Sequence, residues 1–403
     1  MLFKCHAFES IRYHANATVI RVRRLYQPPF SMLVFSPDTI EPRGKVMRQL
    51  RDFHVYRRRA DRLGRPITAF LVLLLSILGA QFASAVNEQV LKAVKDRGML
   101  NCGVSEGLYG FSARDRNGNW SGFDVDLCRA IAAAIFNDTT KVNYIPLDAT
   151  RRFEALQSGG IDVLSRNTTW TISREVELGL TFAATNFYDG QGFLVRRAMK
   201  KETALDLDGA KVCVQAGTTT ELNLVDYFRV NRMNHEALAL TTLESAIKGY
   251  DSGQCNVLTA DVSALFAIRL SLSKPDEHVI LPDVISKEPL GPVVRQDDMQ
   301  WFNIVKWVLF ALVNAEELGV TSKNIDEALK SENPDIRRLV GTEGDYGRRM
   351  GLTKYWAANA IRLVGNYGEV YERTVGVGSA LGIPRGINQL WSKGGILYAP
   401  PIR

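Results

Sequence analysis

Apolar residues recur along this chain with two different periods, and the change from one to the other marks out its elements. Short apolar runs that end in polar clusters read as buried strands: Met99–Val104, Lys141–Pro146 and Ile161–Leu164. Between them, Gly122 to about Phe136 and Thr150–Ser158 carry helical spacing. Ser105–Ser121 is rich in Gly, Asn, Arg and Asp and reads as loop and turn. Asp124 and Asp126 fall in the first turn of the Gly122 helix, where the helix dipole favours negative charge. An extended run, Gly190–Arg197, leads out of this unit, and a second alternation starts at Lys211. It reads strand, helix Thr219–Val230, strand Leu238–Leu240, helix Leu243–Ser252, strand Asn256–Thr259, helix Val262–Leu270. Strand–helix alternation predicts mainly parallel sheets flanked by helices, an α/β class. After Pro282 the chain runs extended through Pro292–Arg295. A helix from Asp297 then carries Trp301, Phe302, Val305, Trp307, Val308, Phe310 and Leu312 and is expected to pack on the first unit. From Gly341 on the chain is glycine-rich and reads as irregular, with short helices around Lys354–Val364, covering one lobe.

Two extended crossings, near Phe193 and near Val294, link the two halves. Two strands between two lobes form a hinge, and a cleft between lobes is a natural ligand site. The predicted organisation is a first lobe of residues 86–192 and 293–403, including a C-terminal extension, and a second lobe of 193–292.

Residues 1–85 read as a leader. Arg57, Arg58, Arg59, Arg62 and Arg65 precede the apolar run Ile67–Ala80, and Ala83-Ser84-Ala85 is a small-x-small pattern. This is a secretory signal peptide of about 57–85, with cleavage expected after Ala85. The apolar run is too short to span a bilayer comfortably. The leader also changes the charge argument. The whole chain has a formal charge of +7, but the leader holds 14 Lys and Arg against 5 acids, and the remainder 36 against 38. The basic excess leaves with the leader, so it gives no support for nucleic-acid or anionic-membrane binding. Export also sets the redox context. Cys102, Cys128, Cys213 and Cys255 remain, an even number in an oxidising compartment. Four cysteines allow three pairings. The favoured one ties Cys102 to Cys128, a strand to its following helix, and Cys213 to Cys255, two strand positions of the second lobe.

Candidate chemistry gathers in two stretches. Ile161–Leu164 is followed by Ser165-Arg166-Asn167-Thr168-Thr169, then by a helix start at Thr171-Ile172-Ser173-Arg174-Glu175. Hydroxyls, an amide and a guanidinium thus collect past the carboxyl end of a strand, where open α/β sheets bind ligands. Arg174 suits an anion, because a guanidinium fork matches a carboxylate. In the second lobe, the strand from Lys211 ends in Ala216-Gly217-Thr218-Thr219-Thr220, and the backbone N–H groups of a helix start suit an anion too.

These two stretches resemble the periplasmic solute-binding proteins of polar amino-acid ABC transporters, solute-binding protein family 3. The resemblance runs from about Val86 to about Ser331. It is closest to the general L-amino-acid-binding subgroup, where it continues to Arg403. It implies the two-lobe periplasmic binding protein fold and capture of free L-amino acids of broad specificity. The implied partners are inner-membrane ABC permease subunits with a separate ATPase chain, since no P-loop is present. No cofactor, metal or nucleic acid is implied, and a monomer is expected. Carried over by position, Arg174 holds the ligand α-carboxylate, with Asn167 and Thr169 completing the first-lobe contacts. Thr218 and Thr219 close onto the same carboxylate from the other lobe. Asp261 takes the α-ammonium; as a plain helix N-cap it has an ordinary alternative job. Ser105 and Glu106 line the rim. Where the family often carries an aromatic residue and then Pro-Phe, this chain has Leu108, Tyr109, Gly110 and Phe111, and Arg166 stands at a place usually small and polar.

Two stretches also admit enzymatic readings. Gly103-Val104-Ser105-Glu106-Gly107 matches the nucleophile elbow of hydrolases, but a turn-rich segment follows where a helix belongs, and only His235 and His278 follow the leader. A cyclohexadienyl dehydratase-like enzyme on the same fold needs a general acid, for which Glu106 is the candidate.

Overall fold

The computed structural model describes residues 89–403. The leader, the signal peptide and its cleavage site at Ala85 lie outside the described residues. Among the described residues the first helix, Val90–Arg97, leads into the strands, which in chain order are β1 Leu100–Ser105, β2 Ala113–Arg114, β3 Trp120–Ser121, β4 Val142–Leu147, β5 Val163–Leu164, β6 Leu180–Phe182 and β7 Phe187–Asp189. They continue with β8 Gln191–Arg196, β9 Ala210–Gln215, β10 His235–Leu240, β11 Val257–Asp261, β12 His278–Ile280, β13 Glu288–Leu290 and β14 Val293–Arg295. Two five-stranded sheets result, in the orders β4-β1-β5-β14-β6 and β10-β9-β11-β8-β12. Each is the sheet of one lobe. In the first, β1 runs parallel to β4 and β5 while β14 is antiparallel to its neighbours. In the second, β9 is parallel to β10 and β11 while β8 is antiparallel to β11 and β12. The reversed strand of each sheet is the one that has just crossed from the other lobe.

The crossings themselves are β7 and β13, which pair antiparallel as a two-stranded ribbon. This corrects the expected positions. Phe193 lies inside the second sheet opposite Thr259, and Val294 lies inside the first opposite Thr181. An extended apolar run looks the same in sequence whether it bridges lobes or sits in a sheet, because only the ladder partner distinguishes them.

The long helix Met299–Glu317 packs on the first lobe, as its stripe predicted, and the indole N–H of Trp301 donates to the Asp162 carbonyl at 2.8 Å. The disulfides join Cys102 of β1 to Cys128 of helix Phe123–Phe136, and Cys213 of β9 to Cys255 just ahead of β11. The extension is more ordered than its composition suggested. It forms helices Tyr346–Arg349, Trp356–Val364 and Tyr367–Thr374. Trp356, Ile361, Tyr367 and Tyr371 are buried in the core they share with helix Phe123–Phe136. No helix among the described residues is long and apolar enough to cross a membrane.

Candidate ligand-binding cleft

The cleft forms where β5, β9 and β11 end. A cavity of about 50 Å³ lies there, lined by Arg152, Arg166, Asn167 and Thr169 from the first lobe and by Gln215, Thr218, Thr219, Thr220, Thr259 and Asp261 from the second. Local sequence explains the second-lobe wall. Gly217 takes a positive φ of 72°, which turns the chain sharply out of β9. The Thr218 hydroxyl then accepts the Glu221 N–H at 3.3 Å and starts helix Thr219–Val230. First-turn N–H groups lack an intrahelical acceptor, so this terminus carries partial positive charge into the cleft. Asp261 ends β11 and precedes helix Val262–Ser271, yet its side chain makes no capping hydrogen bond. The N-cap alternative is thus not what the carboxylate does.

In the first lobe, the Thr171 hydroxyl caps the short helix Ile172–Val176 by accepting the Arg174 N–H at 3.4 Å. The buried Arg174 guanidinium donates to the Thr169 carbonyl and lies over the Phe153 ring, 5.2 Å from its centroid. Burial lowers its pKa to about 10, against the pull of Glu288 and Asp261. Asn167 has a φ of 31° and donates its N–H to Asp124 at 3.0 Å, and its side-chain oxygen is buried without a hydrogen-bond partner. The Ser165 hydroxyl also donates to Asp124, at 3.2 Å. Asp124 was expected to serve the helix dipole. It does stand in the first turn of helix Phe123–Phe136, and it also lies under the cleft loop, 2% exposed, where burial raises its pKa to about 7. Asp126, expected in the same role, accepts from Arg129 at 2.9 Å and from Arg373 of the extension at 2.6 Å.

Two residues at the heart of the site escaped the sequence reading. Arg152 is 3% exposed, reaches Thr168 only at 3.4 Å, and keeps an Nε with no partner. Desolvation pushes its pKa well down, and the neighbouring Arg166 and Arg174 push it further. Glu288 of β13 is 1% exposed and accepts four hydrogen bonds. The hydroxyls of Thr169 and Thr219 donate to one oxygen at 2.6 and 2.9 Å; Asn223 and Ser286 donate to the other at 2.8 and 2.7 Å. One carboxylate on the hinge ribbon therefore ties the first-lobe loop to the second-lobe helix. The two threonine oxygens are themselves 3.2 Å apart across the cleft. No local motif announces Glu288, and Arg152 follows Arg151 at a helix start, a position that reads as surface.

Opposed charges crowd here. Burial raises Asp261 well above the carboxylate range, Asp189 and Glu288 raise it further, and Arg152 and Arg174 pull it back. Burial likewise lifts Asp189 to about 6, against hydrogen bonds from Ser263 and Gly190.

Of the residues named from sequence, Asn167, Thr169, Thr218, Thr219 and Asp261 line the cavity, and Arg174 stands behind Thr169. Ser105 and Glu106 are not brought to that lining. Ser105 donates its N–H to the Ser112 hydroxyl at 3.0 Å, and Glu106 is exposed, 3.7 Å from Arg151. Arg166 donates Nε–H to the Leu147 carbonyl at 2.9 Å, so part of its fork is already used. Phe111 packs edge-on against Phe123 and Phe187 in the core and offers no stacking face. The hydrolase motif also comes apart. Ser105 ends a first-lobe strand, His235 and His278 begin second-lobe strands, and the His278 ring is hydrogen-bonded to Tyr250 at 2.7 Å.

A family model for bacterial extracellular solute-binding proteins, family 3, matches residues 100–324. The chain belongs to this family. Among family 3 relatives, it is 56% identical to the general L-amino acid-binding periplasmic protein of Rhizobium johnstonii, over 80% of this chain and 95% of that protein. It is 48% identical to the glutamate/glutamine/aspartate/asparagine-binding protein of Rhodobacter capsulatus, over 81% of this chain and 97% of that one. A solved structure of an ABC transporter periplasmic binding protein from Brucella ovis with glutathione bound superposes with a TM-score of 0.78 at 53% identity. It covers 79% of this chain and 100% of that one. The family 3 match ends at Asn324, so the whole extension lies beyond it.

Proposed function

We propose that this chain is the periplasmic component of an ABC importer, which captures free L-amino acids and presents them to inner-membrane permease subunits driven by a separate ATPase chain. The observation that carries the reading is the charge layout of the cleft. A helix N-terminus and three buried guanidiniums face Asp261 in one narrow space, which suits a ligand carrying both a carboxylate and an ammonium. Arg174 and the Thr218–Thr219 terminus would take the α-carboxylate, and Asp261 the α-ammonium. Arg152, with its unpartnered Nε, is the candidate for a second carboxylate, as on glutamate or aspartate. The names of the relatives support the amino-acid class. The γ-glutamyl end of glutathione, the ligand of the Brucella ovis protein, carries the same pair of α groups. Export with cleavage after Ala85, the division into lobes near the β7–β13 ribbon and a monomeric state belong to the same proposal.

The dehydratase alternative is less well supported, because Glu106 is exposed, paired with Arg151 and outside the cavity lining. Calorimetry of the purified mature protein against the twenty amino acids and glutathione tests the reading. Binding of several amino acids with no turnover of prephenate or arogenate is the expected result. Turnover of either, or no binding in the whole panel, would refute it.

A further inference from the structure

We infer that the C-terminal extension is the fixed end of the hinge, and that Asn388 and Tyr367 are positioning residues for ligand binding although neither lines the cleft. This rests on the proposed reading that the lobes close on a ligand. The observation is where the extension grips. Tyr188 is the middle residue of crossing strand β7 and faces Pro289 as a non-hydrogen-bonded pair of the ribbon, so its N–H and carbonyl point away from β13. The backbone of Tyr188 is instead held from the other side. Its N–H donates to Asn388 Oδ1 at 2.7 Å, and its carbonyl accepts from Asn388 Nδ2 at 2.9 Å. A buried side-chain amide thus does the job of a neighbouring strand. One residue before β7, the Asn186 carbonyl accepts the Tyr367 hydroxyl at 2.8 Å. Between these two points the Phe187 ring stacks on Tyr371, with centroids 5.8 Å apart.

The grip is itself anchored. Arg385 donates to the Asn388 carbonyl at 3.1 Å, pairs with Glu316 of the long first-lobe helix at 3.1 Å, and lies over the rings of Tyr367 and Tyr371. Three backbone groups of the crossing are therefore fixed to the first lobe by a segment that lies outside the family match. Rotation of one lobe against the other needs φ/ψ change in the crossing residues. The clamp confines that change to the far side of Tyr188, at Asp189 and Gly190. Asp189 is already part of the site: it accepts the Ser263 hydroxyl and stands opposite Glu288 in the ribbon. Slack at Tyr188 would pass directly to the carboxylates that tie the lobes together. The arrangement seen here has Thr169 and Thr219 in contact across the cleft, which requires the second lobe to be held in register, so slack at Tyr188 should weaken that contact and favour the open form.

The test uses the full chain, exported and processed in a bacterial host, with Asn388→Ala, Asn388→Asp and Tyr367→Phe. Asn388→Asp keeps the acceptor for the Tyr188 N–H and loses the donor, and Tyr367→Phe loses one hydroxyl. Small-angle scattering of the ligand-free proteins should show a larger radius of gyration for Asn388→Ala than for wild type. Calorimetry with L-glutamate, L-glutamine and L-leucine should show affinity falling by a common factor of about fivefold or more, a typical coupling between distant sites. The two milder variants should fall in between. If Asn388→Ala does not fold, those two decide. Unchanged ligand-free scattering together with affinities within about twofold of wild type would overturn the inference. A wild-type protein that binds none of the three ligands would count against the functional reading instead. The ligand-free scattering would then decide the clamp alone.

Discussion

Replacing Glu288 by glutamine tests the physical account of the cleft most directly, because the change keeps volume and removes only charge and one acceptor. The carboxylate takes four donors, two on each oxygen. An amide can keep its oxygen toward Thr169 and Thr219. Hydrogen bonds to a charged partner are worth roughly 1.5–3 kcal/mol and neutral ones about 0.5–1.5, so each retained bond loses about 1 kcal/mol. On the other side the new NH2 group meets the Asn223 amide and the Ser286 hydroxyl, which must rotate to accept. The sum is about 2–3 kcal/mol of lost stability. At roughly 2 °C per kcal/mol for a chain of this size, the melting temperature should fall by about 4–6 °C. A second effect has the opposite sign. Glu288 raises the pKa of Asp261 and of Asp189, so its removal relieves like-charge repulsion when those groups are ionised. The deficit should therefore be larger at pH 5 than at pH 8. Calorimetric melts of both proteins across that range are the assay. A variant that melts within about 1 °C of wild type at every pH would refute the claim that this carboxylate ties the lobes.

Three further outcomes are expected. Arg174→Ala and Asp261→Asn should each weaken binding of glutamate, glutamine and leucine at least about tenfold and to a similar degree, since breaking a buried charge pair costs roughly 2–5 kcal/mol; titration calorimetry with melts as the folding control would show it, and a loss confined to one ligand would reassign the residue to side-chain recognition. Asp124 holds its proton in the folded state up to about pH 7, whereas the unfolded chain releases it near 3.8, so its stabilising contribution is complete below the lower value and disappears as pH rises through the higher; Asp124→Asn should flatten the fall in melting temperature between pH 5 and pH 8, and an unaltered slope would show that another group sets it. The exported protein should take up no thiol-alkylating reagent by intact mass before reduction, and replacing both Cys213 and Cys255, 42 residues apart, by serine should cost about 3–4 kcal/mol in chemical denaturation.

The sequence alone determined what depends on neighbours along the chain. The strand–helix alternation, the helix Thr219–Val230 with its Thr218 cap, and the site loops after β5, β9 and β11 were legible because a strand end, a turn glycine and a capping hydroxyl act within a few residues of each other. The same locality draws attention to the polar clusters holding Asn167, Thr169, Thr218 and Thr219, whereas Asp261 is picked out only by the resemblance to the family. All five sit where those strands stop. Tertiary structure decided everything whose meaning lies in a distant partner. Asp124 is a first-turn charge in the sequence and in the fold, but only the fold adds the Ser165 and Asn167 donors that close over it. The extension looks irregular because helices of four to nine residues hold together only when packed, here against a helix more than 200 residues earlier. Arg152 and Glu288 carry no motif, and their roles come from charges that the fold brings together out of water, where an unshielded carboxylate or guanidinium must find a partner. Asn388 is the plainest case. In the sequence it is one polar residue in a loop, and only the chain's return to β7 makes its amide a substitute strand.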